Sequence, residues 1–260
     1  MFPFFRLGPF LVQLPGLALL GGVWVGSSLA EKEAARLKLN TADVYNLIFY
    51  GLVAGIVGAR LAYAVRYLSA YLANPLGLLA LTPATLYPNG GLVIGIAVAA
   101  LFGWRRKLPL RPTLDALALG LAAFIVALGL AHILSGDAFG APAKLPWSIY
   151  LWDDYRHPSQ IYEVIAALAV LAIAWKRPFQ SGEGTNFLLV VALSAAARVF
   201  LEAFRGDSVI WADGFRAAQV VGLLVLAASL WLMQAWARPA ISRPIKQTGR
   251  GDTPMAEVQL

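Results

Sequence analysis

Residues 217–237 read AAQVVGLLVLAASLWLMQAWA, a run of 21 positions without a charged side chain. As a helix it would extend about 31 Å at 1.5 Å per residue, close to the roughly 30 Å hydrocarbon thickness of a bilayer. A soluble helix of that length shows a charged face to water. This one has none, so it is read as a membrane span. Six further stretches qualify: 7–30, 43–68, 90–104, 114–134, 158–175 and 185–204, the third extended backwards through the proline-broken stretch from Tyr71. Their glycine and alanine content suits helices packed closely through small residues. The expectation is an all-α polytopic membrane protein of about seven transmembrane helices. Long alternating strands are absent from the sequence, which argues against a barrel.

Composition agrees. Hydrophobic residues make up 59% of the 260 positions, charged residues 13%, and the mean hydropathy is +0.68. Soluble domains carry about 25% charged residues, so a soluble globule is excluded. The 8 tryptophans, 9 tyrosines and 13 phenylalanines equally exclude a disordered chain. No cysteine is present, which removes disulfides, thiolate metal sites and a lipidated cysteine on this chain. Any sulfur chemistry must come from a partner.

The net charge of +7 is explained by where the basic residues fall. One set of loops holds Lys32, Arg36, Lys38, Arg105, Arg106, Lys107, Arg111, Lys176, Arg177, Arg238, Arg243, Lys246 and Arg250, which is 13. The alternate set holds Arg6, Lys144, Arg156, Arg205 and Arg216, which is 5. Positive charge collects on the cytoplasmic side, so the N-terminus is expected outside and the C-terminus in the cytoplasm. Trp104, Trp175 and Trp236 stand at three cytoplasmic helix ends, as interfacial anchors do. Nucleic-acid binding is not expected, because the basic residues are scattered through short loops.

Ser28-Leu29-Ala30 resembles a signal-peptidase site. The long apolar stretch before it and the basic loop after it favour a retained span. The seven-helix domain is expected over 1–240 and a polar, disordered cytoplasmic tail over 241–260. No internal repeat supports an inverted-repeat transporter.

Ionisable groups at membrane depth are costly unless paired or facing a wet cavity, and five clusters map to the outer helix halves. RVFLEAFRGD places Arg198, Glu202 and Arg205 at spacings of four and three, on one helix face; alone, this could be a helix-locking ion pair. HPSQIYE, 157–163, opens the fifth span. Pro158 suits a first helical position and Gln160 a reach-back cap, whereas Glu163, inside the apolar helix, needs a partner such as an arginine. GARLAYAVRY supplies Arg60, Tyr63 and Arg66; Arg66 can snorkel to the interface, and Arg60 lies deeper. NGGLVIG begins with Asn89, Gly90 and Gly91, where glycines either admit a ligand to the backbone or pack helices. LAHILSGDAFG carries His132, Ser135, Gly136, Asp137 and Gly140, the histidine open to a structural or a catalytic reading. An unrelated channel is disfavoured, since the inner helix halves are almost purely apolar. One outward-facing polar chamber is expected, with Arg198, Glu202, Glu163 and Arg60 inside it.

Together these motifs resemble the bacterial prolipoprotein diacylglyceryl transferase family over the chain up to about Ala237. HPSQIYE is similar to the family's HPxQLYE, RVFLEAFRGD to its RxxxExxR segment, and GARLAY to its GGRxGY. The family's HGGLxG histidine falls on Asn89. In its GRxGNFxNGExxG signature the arginine falls on Gly129, the asparagines on His132 and Ser135, and the acid on Asp137, while Gly136 and Gly140 remain. The first-helix tyrosine falls near Pro15, and the soluble arm between Gly140 and His157 is short.

The resemblance implies a multi-pass enzyme of the bacterial cytoplasmic (inner) membrane, monomeric and without cofactor. It would move diacylglycerol from phosphatidylglycerol to the lipobox cysteine of a preprolipoprotein, releasing glycerol phosphate. The alternative is a repurposed paralogue that binds phospholipid or lipoprotein precursor without transfer. His132, Arg198, Glu202 and Asn89 are the expected catalytic residues. Arg60, Tyr63, Gly90, Gly91, Gly136, Gly140, His157, Gln160, Glu163 and Arg205 are the expected phospholipid contacts. Bidentate arginines suit the anionic leaving phosphate, and a thiol of pKa about 8.5 needs a base or an electropositive site. His132 is the leading candidate base, with Glu202 and Asp137 behind it and His157 its rival.

Overall fold

The structure is a computed structural model that describes residues 4–7, 10–79, 85–176, 179, 182–211 and 214–237. The expected tail, 241–260, lies outside the described residues. Among the described residues, eight α-helices carry the fold: α1 (Leu14–Arg36), α2 (Thr41–Arg66), the short α3 (Leu68–Ala73), α4 (Pro88–Arg105), α5 (Leu110–Ser135), α6 (Ser159–Trp175), α7 (Thr185–Leu201) and α8 (Ala217–Ala237). Strands β1 (Phe4–Leu7) and β2 (Phe10–Gln13) form one antiparallel hairpin, and β3 (Ile149–Leu151) and β4 (Asp154–Arg156) another.

Among the described residues, five segments are long and apolar enough to cross a membrane: α1, α2, α5, α7 with its following turn, and α8. The 18-residue α4 and the 17-residue α6 complete the set of long helices. Large apolar side chains point outward from the bundle; Trp24, Val65, Val93, Trp104, Leu224 and Trp231 are 66% to 77% exposed. Such a surface is at ease only against an apolar medium.

Two expected boundaries are corrected. The first span does not begin at Leu7, because β1 and β2 occupy that stretch and pair Leu7 with Phe10. Pro9 and Pro15 both oppose a continuous helix from Leu7. The helix starts at Leu14 with Pro15 in its first turn, where a missing N–H costs nothing, and runs on through Glu31, Lys32 and Glu33 to Arg36. The third span does not extend back to Tyr71 either. Proline stops it: α3 ends at Ala73, a 3-10 turn covers Pro75–Leu79, and α4 starts at Pro88.

Helices pack closely through small residues, α1 against α5 and α2 against α4 among them. A Cβ on Gly26 of α1 would stand 2.9 Å from the carbonyl of Gly120 on α5, and buried Ala30, Ala34 and Ala116 continue that seam. Helices α5, α6 and α7 share a core of Ala118, Leu119, Ala122, Val170, Ala174 and Val190. At the α7 N-terminus the buried Asp115 carboxylate accepts from the backbone N–H groups of Gly182 (2.8 Å), Gly184 (3.0 Å) and Phe187 (3.1 Å). A carboxylate there satisfies orphan donors and complements the helix dipole. It fixes the near end of the helix whose far end carries Arg198.

Candidate functional site

The ends of α5, α6 and α7 are tied together by the connection that follows α5. Gly136 adopts a left-handed conformation (φ 84°) that stops α5, its N–H bonded to the His132 carbonyl. Downstream, the Ser159 hydroxyl donates to the Ala138 carbonyl and the Gln160 amide to the Asp137 carbonyl at 3.0 Å. Ala141 N–H donates to the Phe204 carbonyl, and Gly206 N–H to that of Phe139. Gly140 sits at the crossing, where a Cβ would stand 2.1 Å from the His157 carbonyl oxygen. Two expectations on α6 change accordingly. Pro158 occupies the capping position one residue before the helix, and Gln160 reaches across to the α5 connection instead of back along its own helix.

This knitting brings three partners onto Glu163 of α6. Its Oε2 lies 2.8 Å from His132 Nδ1 on α5, while its Oε1 accepts from Arg198 Nη1 at 3.3 Å and from Arg205 Nη1 at 2.5 Å. Arg198 reaches Glu202 with its other terminal nitrogen at 3.0 Å. The expected single helical face over 198–205 is only partly realised. The α-helix ends at Leu201 and Glu202–Phe204 form a 3-10 turn, which leaves Arg205 3.9 Å from Glu202 and swings it onto Glu163 and Asp207. The Arg205–Asp207 pair is two-pronged, at 2.9 and 2.6 Å. Burial works against the Arg205 charge, but the Asp207 and Glu163 carboxylates outweigh it and hold its pKa above the ordinary arginine value. Glu202 is fully buried, and Arg216 donates to its carbonyl. Each carboxylate in the network faces at least one cation, the condition under which buried charge is tolerated.

A cavity of about 140 Å³ opens against this network, lined by Gly129, His132, Glu163, Ser194, Arg198 and Leu201 among others. Glycine at 129 is what lets α6 approach: a Cβ there would stand 2.8 Å from Val164 Cγ2. That approach brings His132 to Glu163. With Nδ1 on the carboxylate, the ring proton is assigned to Nδ1 and Nε2 is left as an acceptor. Arg198 is 39% exposed at its side chain, so its planar fork is reachable from the cavity.

Other expected site residues stand elsewhere. Arg60 is not among the residues lining the cavity; it donates to Thr85 and Gly77 and lies over the Tyr71 ring at 5.5 Å. Tyr63 stacks near Tyr67 and Tyr71 on the same side. Asn89 is exposed in the first turn of α4. Gly90 and Gly91 serve helix packing, since Cβ atoms there would stand 2.4 Å from Ala62 Cβ and 2.6 Å from the Gly55 carbonyl. His157 packs its ring on Phe204 and Tyr162. Sequence reasoning passed over Asp207 and Arg216. Asp207 closes the quoted RVFLEAFRGD segment, and its adjacency to Arg205 was the available sign. Nothing local marks Arg216, whose partners sit 8, 11 and 14 positions away.

Comparison with known proteins identifies a family. The profile of the prolipoprotein diacylglyceryl transferase family matches residues 3–235. A phosphatidylglycerol–prolipoprotein diacylglyceryl transferase of Lactobacillus johnsonii is 27% identical, the match covering 88% of each chain. That of Trichormus variabilis is 28% identical over 87% of this chain and 88% of its own. That of Thermotoga petrophila is 30% identical over 85% of this chain and 80% of its own. The match over nearly its whole length shows that the chain belongs to the prolipoprotein diacylglyceryl transferase family.

Proposed function

We propose that the chain transfers diacylglycerol from phosphatidylglycerol to the cysteine thiol of a preprolipoprotein, as a monomer in a bacterial cytoplasmic membrane. It crosses that membrane seven times with the N-terminus outside, residues 1–240 forming the transferase domain and 241–260 a cytoplasmic tail. The observation that carries the proposal is the His132 imidazole held by Glu163 beside Arg198 on one cavity wall. It supplies both things the reaction needs, a base for the thiol and a fixed cation for the phosphate.

In this reading His132 Nε2 takes the thiol proton. The thiolate forms a C–S bond with the glyceryl carbon of the lipid as that carbon's bond to the phosphate oxygen breaks. Glycerol phosphate departs with the electron pair against Arg198, and the imidazolium proton can pass to it. Glu163 orients His132 and stabilises the imidazolium. Glu202 and Arg205 hold Arg198 and Glu163 in register. Arg60 and Tyr63 of α2 are assigned to the lipid, and Asn89, at the family's histidine position, to catalysis. Gly136, Gly140 and Gln160 shape the site through the backbone. The second reading, a paralogue that binds without transfer, draws on Asn89 and Gly129 standing at the family's histidine and arginine positions.

Purified protein, given phosphatidylglycerol and a cysteine-bearing lipobox peptide, is expected to yield the diacylglyceryl peptide by mass spectrometry. His132→Asn should lower the rate by about 100-fold or more, the scale of a general base. Equal rates would remove His132 as the base. No product from wild type would leave the binding-only reading.

A further inference from the structure

A second pocket, of about 450 Å³, lies on the far side of Leu201, which lines both it and the cavity beside His132. Its walls are aromatic: Trp147, His157, Tyr162, Phe200 and Phe204. The His157 ring meets Phe204 edge-on at 5.2 Å, and Tyr162 meets Phe204 at 5.9 Å. Two of the lining residues, Tyr162 and His157, carry polar groups. Trp147 Nε1 donates to the Tyr162 hydroxyl at 2.8 Å, which uses the oxygen as an acceptor and leaves its own O–H to donate. His157 Nδ1 is buried without a hydrogen-bond partner. A proton there would be a buried orphan donor, costlier than a bare lone pair, so the proton belongs on Nε2. The two histidines are therefore opposite tautomers, His132 presenting a basic nitrogen and His157 an N–H.

The side chains of the pocket thus offer two donors within apolar walls, the bare lone pair of His157 Nδ1 being buried. A peptide brings N–H groups that would find no partner there, whereas an acyl ester brings only oxygen acceptors and a hydrocarbon chain. The cavity beside His132 is also too small for a two-chain lipid, since ordinary ligand sites begin near 300 Å³. We propose that this aromatic pocket is an acyl-ester subsite: one chain of the phospholipid donor passes Leu201, and its ester carbonyl accepts from His157 Nε2–H and Tyr162 O–H. The proposal rests on the chamber being a phospholipid site, and it adds a chemical selectivity for ester-linked over ether-linked lipid.

The test compares diacyl phosphatidylglycerol with its dialkyl ether analogue, which lacks both carbonyls, in competition binding to the detergent-solubilised full chain by native mass spectrometry. Wild type is expected to prefer the ester by about fivefold or more, the factor one neutral hydrogen bond commands. Tyr162→Phe and His157→Phe, which keep ring volume, should each bring that preference toward unity. Equal binding of the two lipids by wild type, or binding of neither, overturns the proposal. So does a preference that survives both variants while the KM for the cysteine peptide rises, which would make the pocket a peptide subsite. A wild type that prefers the ester but transfers nothing refutes only the transferase reading.

Discussion

Replacing Glu163 by glutamine removes one charge from the centre of the network and leaves its shape. The carboxylate now meets three partners, His132 at 2.8 Å, Arg198 at 3.3 Å and Arg205 at 2.5 Å. An amide keeps one accepting oxygen and turns an NH₂ toward a donor. The stability cost is bounded by what each cation keeps. Arg205 retains its two-pronged Asp207 and Arg198 retains Glu202, so neither becomes the unpaired buried charge that costs about 3 to 5 kcal/mol. A loss of about 1.5 to 3 kcal/mol, the worth of one hydrogen bond to a charged group, is expected in thermal unfolding of the purified protein. His132 fares worse, since Glu163 is the group that sets its tautomer and would stabilise the imidazolium. Transfer of diacylglycerol to the lipobox peptide should fall about 10²- to 10⁴-fold while phosphatidylglycerol binding persists through Arg198. A Glu163→Gln protein that is folded and transfers within about threefold of wild type would refute the dyad.

Arg198→Lys should be nearly as damaging to transfer as Arg198→Ala, within about tenfold, because a point charge cannot span Glu163, Glu202 and a phosphate as a planar fork does; a near-wild-type lysine variant would count against phosphate contact. Since the chain lacks cysteine, single-cysteine labelling in intact cells is direct: Asp153→Cys in the β3–β4 turn should react from outside and Lys107→Cys should not. Gly140→Ala places a methyl 2.1 Å from a backbone carbonyl and should lower the unfolding midpoint by several degrees, for a cost of about 1 to 3 kcal/mol. Gly129→Ala should push α6 away and reduce transfer more than it reduces stability, read by comparing rate with unfolding temperature.

Local features were legible and distant pairings were not. The bounds of α8 are those of the uncharged run 217–237, because a span is written in hydropathy alone. Glu163 was legible as a carboxylate in need of a cation, since an apolar helix leaves it no other option. Its partners were open, because they come from positions 31, 35 and 42 residues away, and only the packing of α5, α6 and α7 selects them. Arg60 shows the converse. Its depth in α2 resembles that of a chamber residue, but α2 pairs with α4 through Gly55 and Gly91, and that pairing hands the guanidinium to Thr85 and Gly77. The N-terminal hairpin was hidden because FFRLGPFLVQ is apolar enough to pass for the start of a span; its prolines were the sign to weigh.

The departures from the family's signature also depend on one another. Arginine at position 129 would need room that Val164 occupies, and the close α5–α6 contact exists because glycine stands there. That contact brings a side chain at 132 within hydrogen-bonding distance of Glu163. Removing the arginine takes one cation from the cavity wall, and Arg205, held also by Asp207, already supplies the shortest contact to Glu163. A histidine at 132 then occupies the remaining carboxylate oxygen and presents a second nitrogen with a proton-accepting role. The pairing of Glu163, Arg198, Glu202 and Arg205 also holds the helices together, so it is the imidazole on the one oxygen left over that favours the proposed transferase reading. Under the proposed function, this pattern corresponds to a base carried by α5, with the charge balance of the chamber readjusted around it.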